Sequence, residues 1–153
     1  MPFRTWIRHD WHKAYLDWRF GKIDLGAKLG RRGEMAAARY LRQRGYTILA
    51  EGESDRGGEL DLIALHRKSG KIVFVEVKTS ASTKPGNPAE RVTLDKQLRV
   101  ARASLRYLKR KGLLGAACRF DVIAVWWPPS ADTPTRIEHY EAAFENPLEF
   151  QMF

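Results

Sequence analysis

One cysteine, Cys118, stands alone in 153 residues, so no disulfide can form within the chain. That excludes a disulfide-stapled secreted scaffold and fits the reducing cytoplasm. No apolar run approaches the roughly 20 residues that a bilayer-spanning helix needs, so no membrane is expected as partner. The N-terminal stretch has no apolar core of the kind a secretory signal carries, and none is expected. Acidic residues are in short supply: 18 Asp and Glu stand against 27 Lys and Arg, for a net charge of +9. An excess of this size attracts polyanions, nucleic acid before anionic lipid. What remains is ordinary for a soluble globular domain: 44% hydrophobic and 29% charged residues, at a length that buries one sizeable core.

Two textures divide the chain. Residues 1–25 form a basic extension in which Trp6, Trp11 and Trp18 sit among Arg4, Arg8, Lys13 and Arg19. Ile7, Trp11, Tyr15 and Trp18 recur at helical spacing there. Residues 26–153 read as the domain proper. A helix is expected over Leu25–Arg44, with Leu29, Ala37, Ala38 and Leu41 on one face and Gly45 as its C-terminal stop. Strands follow at Tyr46–Ala50, Glu59–His66 and Lys71–Thr79, with turns at Glu51–Gly58 and Arg67–Gly70. Ser80–Glu90, carrying Pro85, Gly86 and Pro88, reads as a loop. A second long helix spans Thr93–Lys111, capped by Thr93 and stopped at Gly112, with an apolar seam of Leu94, Leu98, Ala101, Leu105 and Leu108. Arg119–Trp127 is a fourth strand and Thr135–Tyr140 a fifth at the edge. The tail, residues 145–153, is apolar enough to pack back or to meet a partner. The order is α/β, an αβββαβ run with a mixed central sheet between helices.

Charges interrupt the third strand where apolar residues are expected. Phe74, Glu76 and Lys78 share one face and Val73, Val75 and Val77 the other. In the second strand Glu59, Asp61 and Ile63 share a face, opposite Leu60, Leu62 and Ala64. The short Arg67–Gly70 turn makes the two strands antiparallel neighbours, which brings Asp61 beside Glu76. Glu34 lies at i, i+4, i+7 with Ala38 and Leu41, on the helix face that points at the sheet. Carboxylates packed this closely need a proton or a cation between them. Lys78 alone does not balance them, whereas a hard divalent ion does, and oxygen ligands completed by water are what Mg²⁺ or Mn²⁺ selects. Exposed cross-strand ion pairs would use the same residues, and spacing alone leaves both readings open.

Asp61, 14 intervening residues and then Glu76-Val77-Lys78 resemble the D…(D/E)xK core of restriction-endonuclease-like nucleases. More closely, LGRRGE (29–34), Ala37-Ala38-Arg39-Tyr40-Leu41, Gly45-Tyr46, GELDLIA (58–64), FVEVK (74–78), Thr93, Lys96-Gln97 and RFDVIAV (119–125) resemble the YraN-like family of small bacterial proteins. The resemblance implies a nuclease-like fold related to archaeal Holliday-junction resolvases. It implies a metal held by Asp61, Glu76 and the carbonyl of Val77, with Lys78 orienting or activating the attacking water. Glu34 would complete the acidic set and Gln97 would support the site. It further implies a homodimer and company with DNA-repair or recombination proteins. Two departures are visible: no proline precedes Asp61, and the stretch 51–61 is unusually acidic.

Basic residues cluster on the second long helix. Arg99, Arg102, Arg106 and Arg110 recur at three or four, with Lys96 ahead of them, and Arg31 and Arg32 add charge at the start of the first helix. Together they are the expected surface for nucleic acid, DNA above all; a solvated helix face would look the same. His9 and His12 share a helix face but two histidines do not make a zinc site. The tryptophans near the N-terminus either stack on bases or dock on the domain or a second chain. Cys118 reads as core packing. Asp121 either joins the acidic set, as Glu59 does by its face, or bonds to Arg119 or a backbone amide.

Overall fold

The computed structural model describes residues 3–82 and 92–148, the side chains of residues 3–10 excepted. Helix α1 covers Phe3–Phe20 and helix α2 Leu29–Gln43. Strands β1 (Tyr46–Asp55), β2 (Gly58–His66) and β3 (Lys71–Ser80) follow, then helix α3 (Leu94–Arg110) and strands β4 (Cys118–Trp126) and β5 (Arg136–Phe144). From α2 to β4 the order is αβββαβ, as read from the sequence. The five strands form one mixed sheet in the order β1-β2-β3-β4-β5. Only β3 and β4 run parallel, which is why the connection between them carries α3 across the sheet. Most of the loop expected at Ser80–Glu90, and the last five residues of the tail, lie outside the described residues.

Each face of the sheet carries a core. On one side Ala36, Ala37, Ala38 and Leu41 of α2 meet Leu62, Ala64, Val73, Val75, Ile123 and Val125. On the other, Val100, Ala101, Ala103, Tyr107 and Leu108 of α3 meet Ile63, Ile72, Phe74 and Phe120. The small residues of α2 let it lie close to β3: a Cβ added at Gly33 would come within 1.8 Å of Thr79 Oγ1. Full burial of Leu41, near the other end of α2, is worth about 1.5–3 kcal/mol and holds that end on the sheet.

Three details of the sequence reading change. β1 runs on to Asp55, through the residues expected as a turn, because at a sheet edge Glu51 meets Arg31 and Arg42 and Glu53 meets Arg110, so neither carboxylate is buried alone. The turn tightens to Arg56-Gly57, where Asp55 Oδ1 accepts the Gly57 N–H at 2.8 Å. The α3 seam is rotated: Leu94 and Leu105 are exposed, and Val100, Ser104 and Tyr107 face the sheet with Ala101 and Leu108. Ser104 is accommodated because its hydroxyl donates to the Val100 carbonyl at 2.7 Å. Leu60 packs on the α3 side with Ile63, not with Leu62. Beyond Leu62↔Val75 β2 has no further partner on β3, and the β1–β2 arm diverges from that strand. Thr93 caps α3 as expected, accepting from Lys96 N at 3.2 Å, and Gly112 ends it at φ +67°.

Candidate active site

The site grows from the point where β2 and β3 part. Pairing ends at Leu62↔Val75, which puts Asp61 next to Glu76. Instead of a ladder bond, Asp61 Oδ2 accepts the N–H of Val77 at 2.8 Å. Glu76 lies on a central strand and is 5% exposed. Its Oε1 receives Lys78 Nζ at 3.2 Å and Lys96 Nζ at 3.4 Å, so two ammonium groups offset one buried carboxylate. Both lysines stay partly open to solvent. Burial pushes the Asp61 carboxyl up to about 7, and the neighbouring Glu76 and the more distant Glu34 push the same way. The Val77 N–H and Lys96 oppose that rise without cancelling it. Two acids held together, one resisting ionisation, form a cation-seeking arrangement.

Glu34, one residue after Gly33 on α2, acts on the Asp61 carboxyl through its charge. It sits at the rim, its Oε2 accepting from Arg31 at 3.1 Å. Gln97 uses its amide to bind the Val92 carbonyl at 3.1 Å, fixing the entry of α3 that carries Lys96. Among the described residues no three His, Cys, Asp or Glu side chains form a metal-ligand set by themselves. A pair of carboxylates nonetheless fits Mg²⁺, which is commonly held by one or two carboxylates with water and substrate phosphate in the other positions.

The stretch from Gly33 to Val125, which holds Glu34, Asp61, Glu76, Lys78, Lys96 and Gln97, matches the model of "Uncharacterised protein family UPF0102". A UPF0102 protein of Rhodopirellula baltica is 63% identical over 130 residues, covering 85% of this chain and 78% of that protein. UPF0102 proteins of Symbiobacterium thermophilum and Geobacter sulfurreducens are 42% and 46% identical, covering 78% and 76% of this chain and 98% and 88% of their own lengths. This chain belongs to the UPF0102 family. Helix α1, Arg31, Arg32 and β5 fall outside the matched stretch.

The remaining candidates in this UPF0102 chain divide by what they touch. Arg106 grips Asp55 with two hydrogen bonds, at 2.5 and 2.9 Å, and its guanidinium fills the space beside Gly57. Arg110 bonds Glu53 at 3.1 Å and Asp55 at 3.4 Å. These two arginines clamp the β1–β2 arm to α3, and Arg106 foremost holds the Asp55 carboxyl well below the usual carboxylate range. Arg102 is exposed, and Arg99 pairs loosely with Asp95 at 3.6 Å. Arg31 lies within 3.7 Å of Glu51 as well as on Glu34. Arg32 lies over the buried Trp127 ring at 4.9 Å, and its Nε is buried without a hydrogen-bond partner. Glu59 is exposed on the β1–β2 arm.

Asp121 faces the α2 side of the sheet, with Ile123, while Glu76 faces the α3 side with Phe74. It is fully buried and bound to Arg119 at 2.8 and 2.9 Å, His139 Nε2 at 2.7 Å and the N–H of Ala142 at 2.9 Å. Burial raises its carboxyl, and these partners outweigh burial to hold it below the ordinary value. Arg119 reaches on to Tyr46 Oη at 2.9 Å. The i, i+2 spacing of Arg119 and Asp121 on one strand face signals their pairing. His139 comes from β5 and carried no signal. Lys96 was expected on the nucleic-acid surface; its contact with Glu76 follows from the Thr93 cap, which sets the first turn of α3 beside β3. No described helix is long and apolar enough to cross a membrane.

Proposed function

We propose that this protein is a metal-dependent nuclease with a restriction-endonuclease-like core, hydrolysing phosphodiester bonds in DNA in the cytoplasm, alongside repair or recombination proteins. The observation that carries this reading is the meeting of Asp61, with its raised carboxyl, and the buried Glu76 where β2 leaves β3, with Lys78 and Lys96 on Glu76. Asp61 and Glu76 would hold Mg²⁺ or Mn²⁺, with the Val77 carbonyl as the further donor suggested by the D…(D/E)xK resemblance. A divalent ion there supplies Lewis-acid charge against the phosphodiester oxygens and lowers the pKa of water. Lys78, on the strand face of Glu76, would hold the attacking water in line. Lys96, from α3, would meet the charge of the scissile phosphate. Glu34 would keep the rim acidic and so sharpen the demand for a cation. Gln97 would act indirectly, by fixing the helix turn that carries Lys96.

The test is cleavage of linear, single-stranded and branched DNA with Mg²⁺ or Mn²⁺, against EDTA. Glu76→Gln, Asp61→Asn and Lys78→Ala are each expected to lose at least about a hundredfold in rate, the scale of general acid–base contributions, with the fold intact by circular dichroism. No cleavage of any form with either ion overturns the nuclease reading. A binding module without turnover is the second reading, favoured by the two lysines already compensating Glu76. It requires salt-sensitive DNA binding that survives Glu76→Ala.

A further inference from the structure

Helix α1 presents three aromatic side chains to solvent on one stripe. Trp11 is 75% exposed, Tyr15 53% and Trp18 80%. The stripe is held in place from behind. Arg39 of α2 pairs with Asp17 and binds the Gly21 carbonyl at 3.0 Å, and Arg42 binds the Phe20 carbonyl at 3.2 Å. Leu16, the aliphatic residue among them, turns inward to a cleft against Ile23. From Trp11 onward the outer face is therefore aromatic, and the expectation that these tryptophans dock on their own domain fails for Trp11 and Trp18.

The surroundings of the stripe select an occupant. In sequence Arg4, Arg8, Lys13, Arg19 and Lys22 accompany it, against Asp10 and Asp17, and Asp17 is already shared by Lys13 and Arg39. The chain as a whole carries +9. A second copy brings the same charge, and three such rings offer roughly 400 Å², about half of what each partner buries in a stable interface. Insertion into a bilayer surface takes a broad apolar face in which leucines join the aromatic residues, and Leu16 is turned away into the cleft. A duplex hides its base faces in the stack. An unpaired strand offers both phosphates and open π-faces, and stacking on aromatic side chains tolerates any base. The rings rise about 6 Å and then about 4.5 Å along the helix axis, steps that an unstacked strand follows without keeping the ~3.4 Å rise of duplex DNA.

We infer that the Trp11–Tyr15–Trp18 face of α1 is a stacking platform for unpaired nucleobases, delivering single-stranded nucleic acid to this protein. The inference rests on the nuclease reading only in its premise that the chain binds nucleic acid.

The experiment uses the full chain in EDTA, so that no cleavage intervenes, with oligo-dT and a duplex of equal length. Oligo-dT is expected to quench tryptophan fluorescence; Trp126 and Trp127 are buried and stay silent. Trp11→Ala with Trp18→Ala should abolish most of the quench. It should weaken oligo-dT at least about thirtyfold, the low end of two stacked bases, and leave duplex affinity within about twofold. Trp11→Phe with Trp18→Phe should retain most of the affinity. Unchanged oligo-dT affinity in the alanine pair overturns the inference. So does loss of a sedimenting dimer in place of oligo-dT binding, or tryptophan-dependent binding to phosphatidylglycerol vesicles with no response to oligo-dT. A chain that quenches on oligo-dT but cleaves nothing retains the platform and loses the nuclease; one that cleaves DNA with an unaltered alanine pair does the reverse.

Discussion

Replacing Asp61 by Asn should stabilise this protein at alkaline pH, although it removes a residue placed at the centre of the site. Asp61 holds its proton up to about pH 7 in the fold, because burial and the neighbouring Glu76 resist its ionisation. The unfolded chain releases that proton near the ordinary value of 3.8. Between those values the native state binds more protons than the unfolded one, so stability falls as pH rises. At 1.36 kcal/mol per pH unit, the cost grows from about 2 kcal/mol at pH 5 to about 4 kcal/mol at pH 8. The difference, about 2–3 kcal/mol, corresponds to some 5–10 °C in Tm for a chain of this size.

Asn keeps an oxygen to accept the Val77 N–H and carries no charge to repel Glu76. The assay is thermal and urea unfolding of wild type and Asp61→Asn in EDTA at pH 5, 6.5 and 8. The variant is expected to gain on wild type steadily across that range. Comparing the two chains removes the histidine titrations that both share. A gap between them that does not widen from pH 5 to pH 8 refutes the reasoning. Adding Mn²⁺ should close the gap at pH 8 from the wild-type side, since a ligand bound only to the fold stabilises it, and leave the variant unmoved.

Gly33→Ala should destabilise by about 1–3 kcal/mol, because the new Cβ would meet Thr79 Oγ1 at 1.8 Å; Thr79→Ala should recover only part, since the residue 79 Cβ would still stand at 2.8 Å. Unfolding midpoints equal to wild type would count against the close approach of α2 to β3. Arg106→Ala should speed amide hydrogen exchange across residues 53–58 without changing the core of β3 and β4, with Arg102→Ala as an inert control. Because Asp55 titrates below its ordinary 3.8, the same protection should fade on acidification and be complete above that range. Exchange in the arm that ignores both Arg106 and pH contradicts the clamp.

Most of the fold was legible because its signals are local. The αβββαβ order follows from runs of strand formers, a capping Thr93 and helix-ending glycines at 45 and 112, each acting within a few residues. The nearness of Asp61 and Glu76 was legible too, since a short turn fixes the register of the two strands. The α3 face was misread because two apolar stripes overlap on that helix, sharing Ala101 and Leu108. Only packing decides between them, and Leu105 lost to Tyr107, whose ring meets Phe74 edge-on at 6.2 Å. The pairing of Arg106 with Asp55, 51 positions apart, and of His139 with Asp121 has no local trace. An arginine stripe looks alike whether it faces phosphate or the acids of a distant turn.

The unzipping of β2 from β3 unites these features. A fully paired ladder would continue past Leu62↔Val75 and leave the Val77 N–H to a backbone partner on β2. Here the strand turns aside, Leu60 goes to the α3 core, and the Asp61 carboxylate takes that N–H instead. The arm needs another anchor once it has parted from β3, and Arg106 and Arg110 provide it through Asp55 and Glu53. The same divergence brings an acid from β2 beside one from β3 without giving either the full hydration of an exposed loop. The acidic stretch 51–61 is therefore divided by role. Glu53 and Asp55 hold the arm down, and Asp61 is left facing Glu76, where its charge is least welcome.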